Sequence, residues 1–163
     1  MMRLHRGATL VELVMTIVII SVAIAGVVGA FALITGRSAD PLNQTRAVEL
    51  AQLYMDEIIS KKYDDATRQG GTPKYSGNCD IKVESGETRA SYDDVDDYHN
   101  TVNEPPESAE SALSGYSGFA VNITVACAGD EVGLPVSEAK RIDLAITAPG
   151  GQAFSFSAYR ANF

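Results

Sequence analysis

Arg6-Gly7-Ala8-Thr9-Leu10-Val11-Glu12-Leu13 is the stretch that decides how this chain is built. A short basic segment containing Arg3 and Arg6 ends in Gly7. One carboxylate, Glu12, follows five positions later, and no charged residue then occurs from Leu13 to Ile34. That apolar run is 22 residues long. At about 1.5 Å per residue it spans roughly 33 Å, close to the hydrocarbon thickness of a bilayer. Val, Ile, Ala, Met and Leu, with Gly26 and Gly29, make it apolar on every face, the pattern of a membrane span rather than of one side of a soluble core. A secretory signal peptide is the rival reading. Its apolar region is usually about 7–15 residues and ends at a small-residue cleavage site, which Ala30 and Ala32 could imitate.

Charge sets the expected orientation. Arg3 and Arg6 precede the span, so the N-terminus is expected to stay cytoplasmic and the remainder to be translocated, with Arg37 a weak opposing signal. The formal charge of the 163-residue chain is −8. Without Arg3 and Arg6, 11 basic residues face 21 acidic ones, a balance of −10. No basic stripe remains beyond the span, which argues against nucleic-acid binding, because phosphate contacts need clustered Lys and Arg. The two cysteines, Cys79 and Cys127, both lie in the exported part. An even count in an oxidising compartment favours a disulfide. Its loop of roughly 48 residues would stabilise by up to about 4 kcal/mol. Two free buried thiols are the alternative, and two isolated cysteines do not make a zinc site.

Gly36 and Pro41 bracket the end of the span. Ala47, Leu50, Ala51, Tyr54, Met55 and Ile58 then recur at three- and four-residue steps, which predicts an amphipathic helix from about Leu42 to Lys61 with Asp40 or Asn43 near its start. The stripe is expected to pack on the domain's own sheet. The stretch from Asp64 to Gly115 is rich in Gly, Ser, Asp and Thr and is read as a loop region. Within it Cys79–Glu84 and Arg89–Tyr92 are expected as short strands, and Asn103–Ser111, with Pro105-Pro106, as an exposed loop. From about 116 to 160 the pattern is a sheet. Tyr116–Ala126 puts Phe119, Val121, Ile123 and Val125 on one face, Arg141–Thr147 puts Ile142, Leu144 and Ile146 on one face, and Gln152–Arg160 does so for Phe154 and Phe156. Pro149-Gly150-Gly151-Gln152 predicts the turn of an antiparallel hairpin. The expected fold class is α+β, a long N-terminal helix whose amphipathic half packs on a C-terminal antiparallel sheet. The expected division is a leader at 1–7, an apolar helix at 8–36 and a globular domain at 37–163.

Gly7-Ala8-Thr9-Leu10-Val11-Glu12-Leu13 resembles the processing site of type IV pilins and type II secretion pseudopilins, with Ala8 where Phe is usual. Asp40-Pro41, Ala51–Ile58, Cys79 and the run from Arg89 to Tyr98, above all Tyr92-Asp93-Asp94-Val95-Asp96-Asp97-Tyr98, are similar to minor pilins of the mannose-sensitive haemagglutinin (MSHA) pilus. The resemblance implies a pilin-like fold, cleavage between Gly7 and Ala8 by a prepilin peptidase, N-methylation of Ala8, and residence in the inner membrane with the domain periplasmic before assembly into a filament. It implies as partners other major and minor pilins and the inner-membrane assembly platform. A role in surface attachment follows from the MSHA resemblance, and a pseudopilin of a type II secretion system is the alternative. Glu12 in the membrane costs on the order of 2.5–3.5 kcal/mol, and pairing with a neighbouring subunit's new amine on Ala8 would remove that cost.

No Ser/His/Asp, Cys/His or metal constellation supports a tethered enzyme, and His99, the one histidine outside the leader, is expected to be a solvated loop residue. No cofactor is expected. Asp93, Asp94, Asp96 and Asp97 could supply oxygen ligands to Ca²⁺, but they lack the spacing and glycine of an EF-hand loop. The run is expected to be a solvated turn or a capped helix start that binds Ca²⁺ only weakly.

Overall fold

The computed structural model describes residues 9–37, 39–68, 70–108 and 111–163, with the backbone alone for 33–37, 39 and 40. The first helix, α1, runs Leu10–Arg37. It stops one residue after Gly36. The second, α2, runs Ala39–Ser60. Pro41 falls in its first turn, where a missing N–H leaves no hydrogen bond unmade. The chain divides into two compact units, 1–42 and 43–163.

In the second unit four strands form one antiparallel sheet in sequence order: β1 (Thr101–Glu104), β2 (Ala120–Cys127), β3 (Ala139–Thr147) and β4 (Ala153–Ala161). Their register puts apolar residues opposite each other on one face. Val121 pairs with Ile146, Ile123 with Leu144 and Val125 with Ile142, while Leu144 and Ile146 continue to Phe156 and Phe154. Ala47, Leu50, Ala51, Tyr54 and Ile58 of α2 are buried with this face in one core, with Met55 packed at its border. The predicted stripe and its destination are therefore observed. The opposite face is polar: Arg141 and Ser157 both bond Asp143. β3 and β4 form the expected hairpin, closed by an Ala148 N–H bond to Gln152 O at 2.8 Å.

The middle of the chain departs from expectation. Cys79–Glu84 forms no strand, and neither does Arg89–Tyr92, whose residues 89–91 form a turn. Ile81 nevertheless packs against the core without a ladder partner, whereas Val83 is exposed. Part of the stretch read as exposed loop is a strand: β1 ends at Glu104, inside 103–111, and Pro106 beyond it is buried. Its signal is short and broken. Asn103 takes φ +53°, its N–H is bonded by Asn122 Oδ1, and the register slips between Thr101 and Glu104. The two sheet edges differ. β1 is short and bulged, whereas β4 runs nine residues with Arg160 its only charge, so only the first carries devices that discourage further pairing.

Cys79 and Cys127 are joined, with Cα atoms 6.0 Å apart, and tie the irregular middle to the end of β2. Gly129 opens a short 3-10 turn where a Cβ would come within 1.9 Å of Pro135 O, a backbone atom that cannot step aside.

Two stability outcomes follow. Cys79→Ser or Cys127→Ser is expected to lower unfolding free energy by about 2–5 kcal/mol, read by denaturant melts with and without reductant; unchanged melts would contradict the brace. Gly129→Ala is expected to cost about 1–3 kcal/mol through overpacking. Gly150→Ala meets no neighbour within 4 Å and suffers only from its φ of +99°, so a smaller loss at Gly129 than at Gly150 would refute the steric account.

Candidate functional site

Residues 1–8 lie outside the described residues, so the leader, Gly7 and Ala8 carry no structural account. From Thr9 onward the local logic is visible. Thr9 Oγ1 accepts the Glu12 N–H at 3.3 Å. Thr9-Leu10-Val11-Glu12 therefore has the sequence of a helix capping box, with Glu12 at its third helical position and its negative charge at the positive end of the helix. Thr16 and Ser21 return their hydroxyls to the Glu12 and Ile17 carbonyls, leaving no polar side chain reaching outward between Leu13 and Ala32. Leu10–Ala32 is 23 residues long with mean hydropathy 2.7, and none of its most apolar window is buried. This is one helix long and apolar enough to cross a membrane, consistent with a single-pass anchor. A Cβ at Gly26 or Gly29 would meet nothing within 4 Å among the described residues.

The acidic run is organised otherwise than as a solvated turn. Asp94, Asp96 and Asp97 are each about 2 % exposed. Asp94 Oδ1 accepts the N–H groups of Asp96 and Asp97, capping a 3-10 turn over Asp96–Tyr98. Asp97 Oδ2 accepts those of Asp93 and Asp94. The capped-start expectation holds, and the solvated one fails because backbone donors and a cation replace water. That cation is Lys140, fully buried at the start of β3, with Nζ 2.8 Å from each Asp96 carboxylate oxygen and 2.6 Å from Tyr63 O. Asp93 alone points outward and pairs with Lys62.

The four aspartates do not converge. Asp97 instead shares a cluster with Glu84 and Glu87, their carboxylate oxygens within 4.8 Å of one another. Burial first, and then the Asp97 carboxylate, raise the pKa of both glutamates. Nothing in the sequence pattern linked residues 84 and 87 to residue 97. His99 is not simply solvated: it is half-buried, and its Nδ1 accepts the Val125 N–H at 3.0 Å, fastening the turn to β2. Arg89, which falls in the expected second short strand, lies 4.2 Å over the Tyr54 ring and bonds Glu57, while the Tyr98 hydroxyl donates to Glu57 at 2.7 Å. These contacts hold a fold together and present no nucleophile–base pair.

Comparison of the chain with protein-family models, with curated proteins and with solved structures finds no match.

Asp94 has a consequence for stability. Burial, reinforced by the Asp96 and Asp97 charges, pushes its carboxyl up to about 7 from an ordinary 3.8. The folded chain then holds that proton more tightly than the unfolded chain. Its contribution is full below about pH 4 and is lost as pH rises through about 7. The domain is expected to melt higher at pH 5 than at pH 8, and Asp94→Asn to shrink the difference. A pH dependence identical in wild type and Asp94→Asn would contradict this assignment.

Proposed function

We propose that this chain is a non-enzymatic filament subunit, a type IV pilin of the minor, MshD-like kind, processed by a prepilin peptidase and assembled into or priming an MSHA-type pilus for surface attachment. One observation carries the reading: an unburied apolar helix that opens on Thr9-Leu10-Val11-Glu12, directly behind a basic segment ending in Gly7, and precedes a disulfide-braced α+β domain. The helix serves two environments in turn. It holds the subunit in the inner membrane, with the N-terminus cytoplasmic and the domain periplasmic, and its uniform apolar surface then packs against equivalent helices of neighbouring pilins.

Glu12 sets the order of events. Cleavage after Gly7 would create an ammonium on Ala8, four residues from the carboxylate. Within one helix, the cap at Thr9 fixes the first turn that carries Glu12. Between subunits, the amine of one chain meets Glu12 of the next and neutralises both charges in an apolar bundle. An unpaired Glu12 in that bundle is destabilising by several kcal/mol, so assembly selects cleaved neighbours in register.

Two measurements test the proposal. Intact mass of the membrane form should show loss of residues Met1–Gly7, with or without one methyl on Ala8. A terminus at Met1, or one near Ala32, would overturn it. Glu12→Ala should be inserted and cleaved normally yet be depleted at least about tenfold from sheared filaments, one pairing interaction being worth more than 1.4 kcal/mol. Undiminished incorporation of that variant would remove Glu12 from the mechanism.

A further inference from the structure

A groove of about 580 Å³ opens beside the C-terminus of α2, lined among others by Lys61, Lys62, Arg68, Tyr92, Arg160 and Phe163. Its charge is unusual for this domain. Residues 43–163 carry 10 Lys and Arg against 19 Asp and Glu. Six of those ten cations have a carboxylate within 4.0 Å among the described residues: Lys62, Lys74, Lys82, Arg89, Lys140 and Arg141. Four do not, and three of the four, Lys61, Arg68 and Arg160, line this one groove. In a chain with nearly two acids per base, cations without acids are expected to be rare and scattered. Here they converge.

Their positions are held without being neutralised. Lys61 Nζ donates to Tyr92 O at 2.6 Å. Arg160 donates to the carbonyls of Lys61 and Ala161. Carbonyls orient a cation and leave its charge in place. The Arg68 side chain makes no hydrogen bond or ion pair among the described residues, and it is exposed. The negative end of α2 at Ser60 accounts for Lys61 and Lys62 in part. It accounts for neither Arg68 nor Arg160, which lie outside that helix. Asp93 is the one acidic side chain on the lining, and Lys62 already pairs with it. Aromatic surface alternates with the charge: Tyr92 lines the groove, and the exposed Phe163 ring lies 5.5 Å from the Arg160 guanidinium carbon.

We propose that this groove binds an acidic segment of another polypeptide, one whose carboxylates alternate with apolar side chains. Charge complementarity selects carboxylates, and the Tyr92 and Phe163 rings select apolar neighbours between them. The domain's overall negative charge disfavours polyanions of high charge density, since long-range repulsion grows with every phosphate beyond the three free cations. Cations already oriented by carbonyls lose little freedom on binding, which favours affinity.

The test uses the full chain in non-ionic detergent and a dye-labelled peptide of alternating Glu and Phe, followed by fluorescence anisotropy. Saturable binding that weakens with salt is expected, with the matching Gln–Phe peptide binding at least about tenfold more weakly. Arg68→Glu should reduce affinity at least about tenfold with its melting temperature unchanged, because that side chain holds nothing in place. Lys82→Glu, whose cation pairs with Asp80, should change affinity less than about twofold. Absence of saturable binding, equal affinity for the Gln–Phe peptide, or undiminished binding by Arg68→Glu would each overturn the proposal. Tighter binding of a uronate oligosaccharide or of a single-stranded oligonucleotide would overturn the assignment to a peptide.

Discussion

The globular unit is organised around one buried ion pair. Lys140 occupies the position in β3 that continues the core stripe of Ile142, Leu144 and Ile146. A charge there is strongly disfavoured unless it is paired and hydrogen-bonded. Asp96 supplies the pair, Tyr63 supplies a carbonyl, and the Tyr63 ring lies 4.5 Å from the ammonium. Three regions distant in sequence are thereby fixed at one point: the exit from α2, the acidic turn and the first residues of β3. Asp96 also accepts the Lys82 N–H at 3.4 Å, which brings in the stretch after Cys79. Removing either partner leaves an uncompensated buried charge, which typically costs about 3–5 kcal/mol.

The same principle extends to the rest of the irregular middle. Arg89 is sandwiched near Tyr54 and Tyr98 and bonded to Glu57. Tyr54 accepts the Glu107 N–H, and Asn162 exchanges two hydrogen bonds with the Tyr75 backbone. Long polar side chains from α2 and the strands thus satisfy backbone groups that a regular ladder would otherwise satisfy. This is how more than fifty residues with almost no secondary structure acquire definite positions beside a sheet of ordinary geometry.

That division explains what could be read from the sequence. Helices and strands announce themselves by period, so α1, α2, β2, β3 and β4 were legible, each boundary within a few residues. The disulfide was legible from cysteine count and compartment. The middle was not, because its order comes from pairs such as Lys82–Asp96 and Tyr75–Asn162, separated by 14 and 87 positions. β1 has four residues and a left-handed Asn103, too little alternation to register. The burial of Asp94, Asp96 and Asp97 ran against the usual exposure of acids. One clue was present: extending the β3 alternation back from Ile142 places Lys140 on the core face, and a lysine there needs an acid somewhere.

The apolar stretch 10–32 buries none of its most apolar window, whereas the unit 43–163 has a core supplemented by a covalent link between Cys79 and Cys127. That link makes the domain's durability conditional on where the chain resides. In a reducing compartment the thiols stay separate, and the middle is held by its polar contacts and by the packing of residues such as Ile81 and Tyr98 alone. A copy left there has the same sequence and the same charges but opens more often, and each opening exposes backbone to proteases. The bond therefore ties persistence to redox conditions: an oxidised copy outlasts a reduced one of identical sequence.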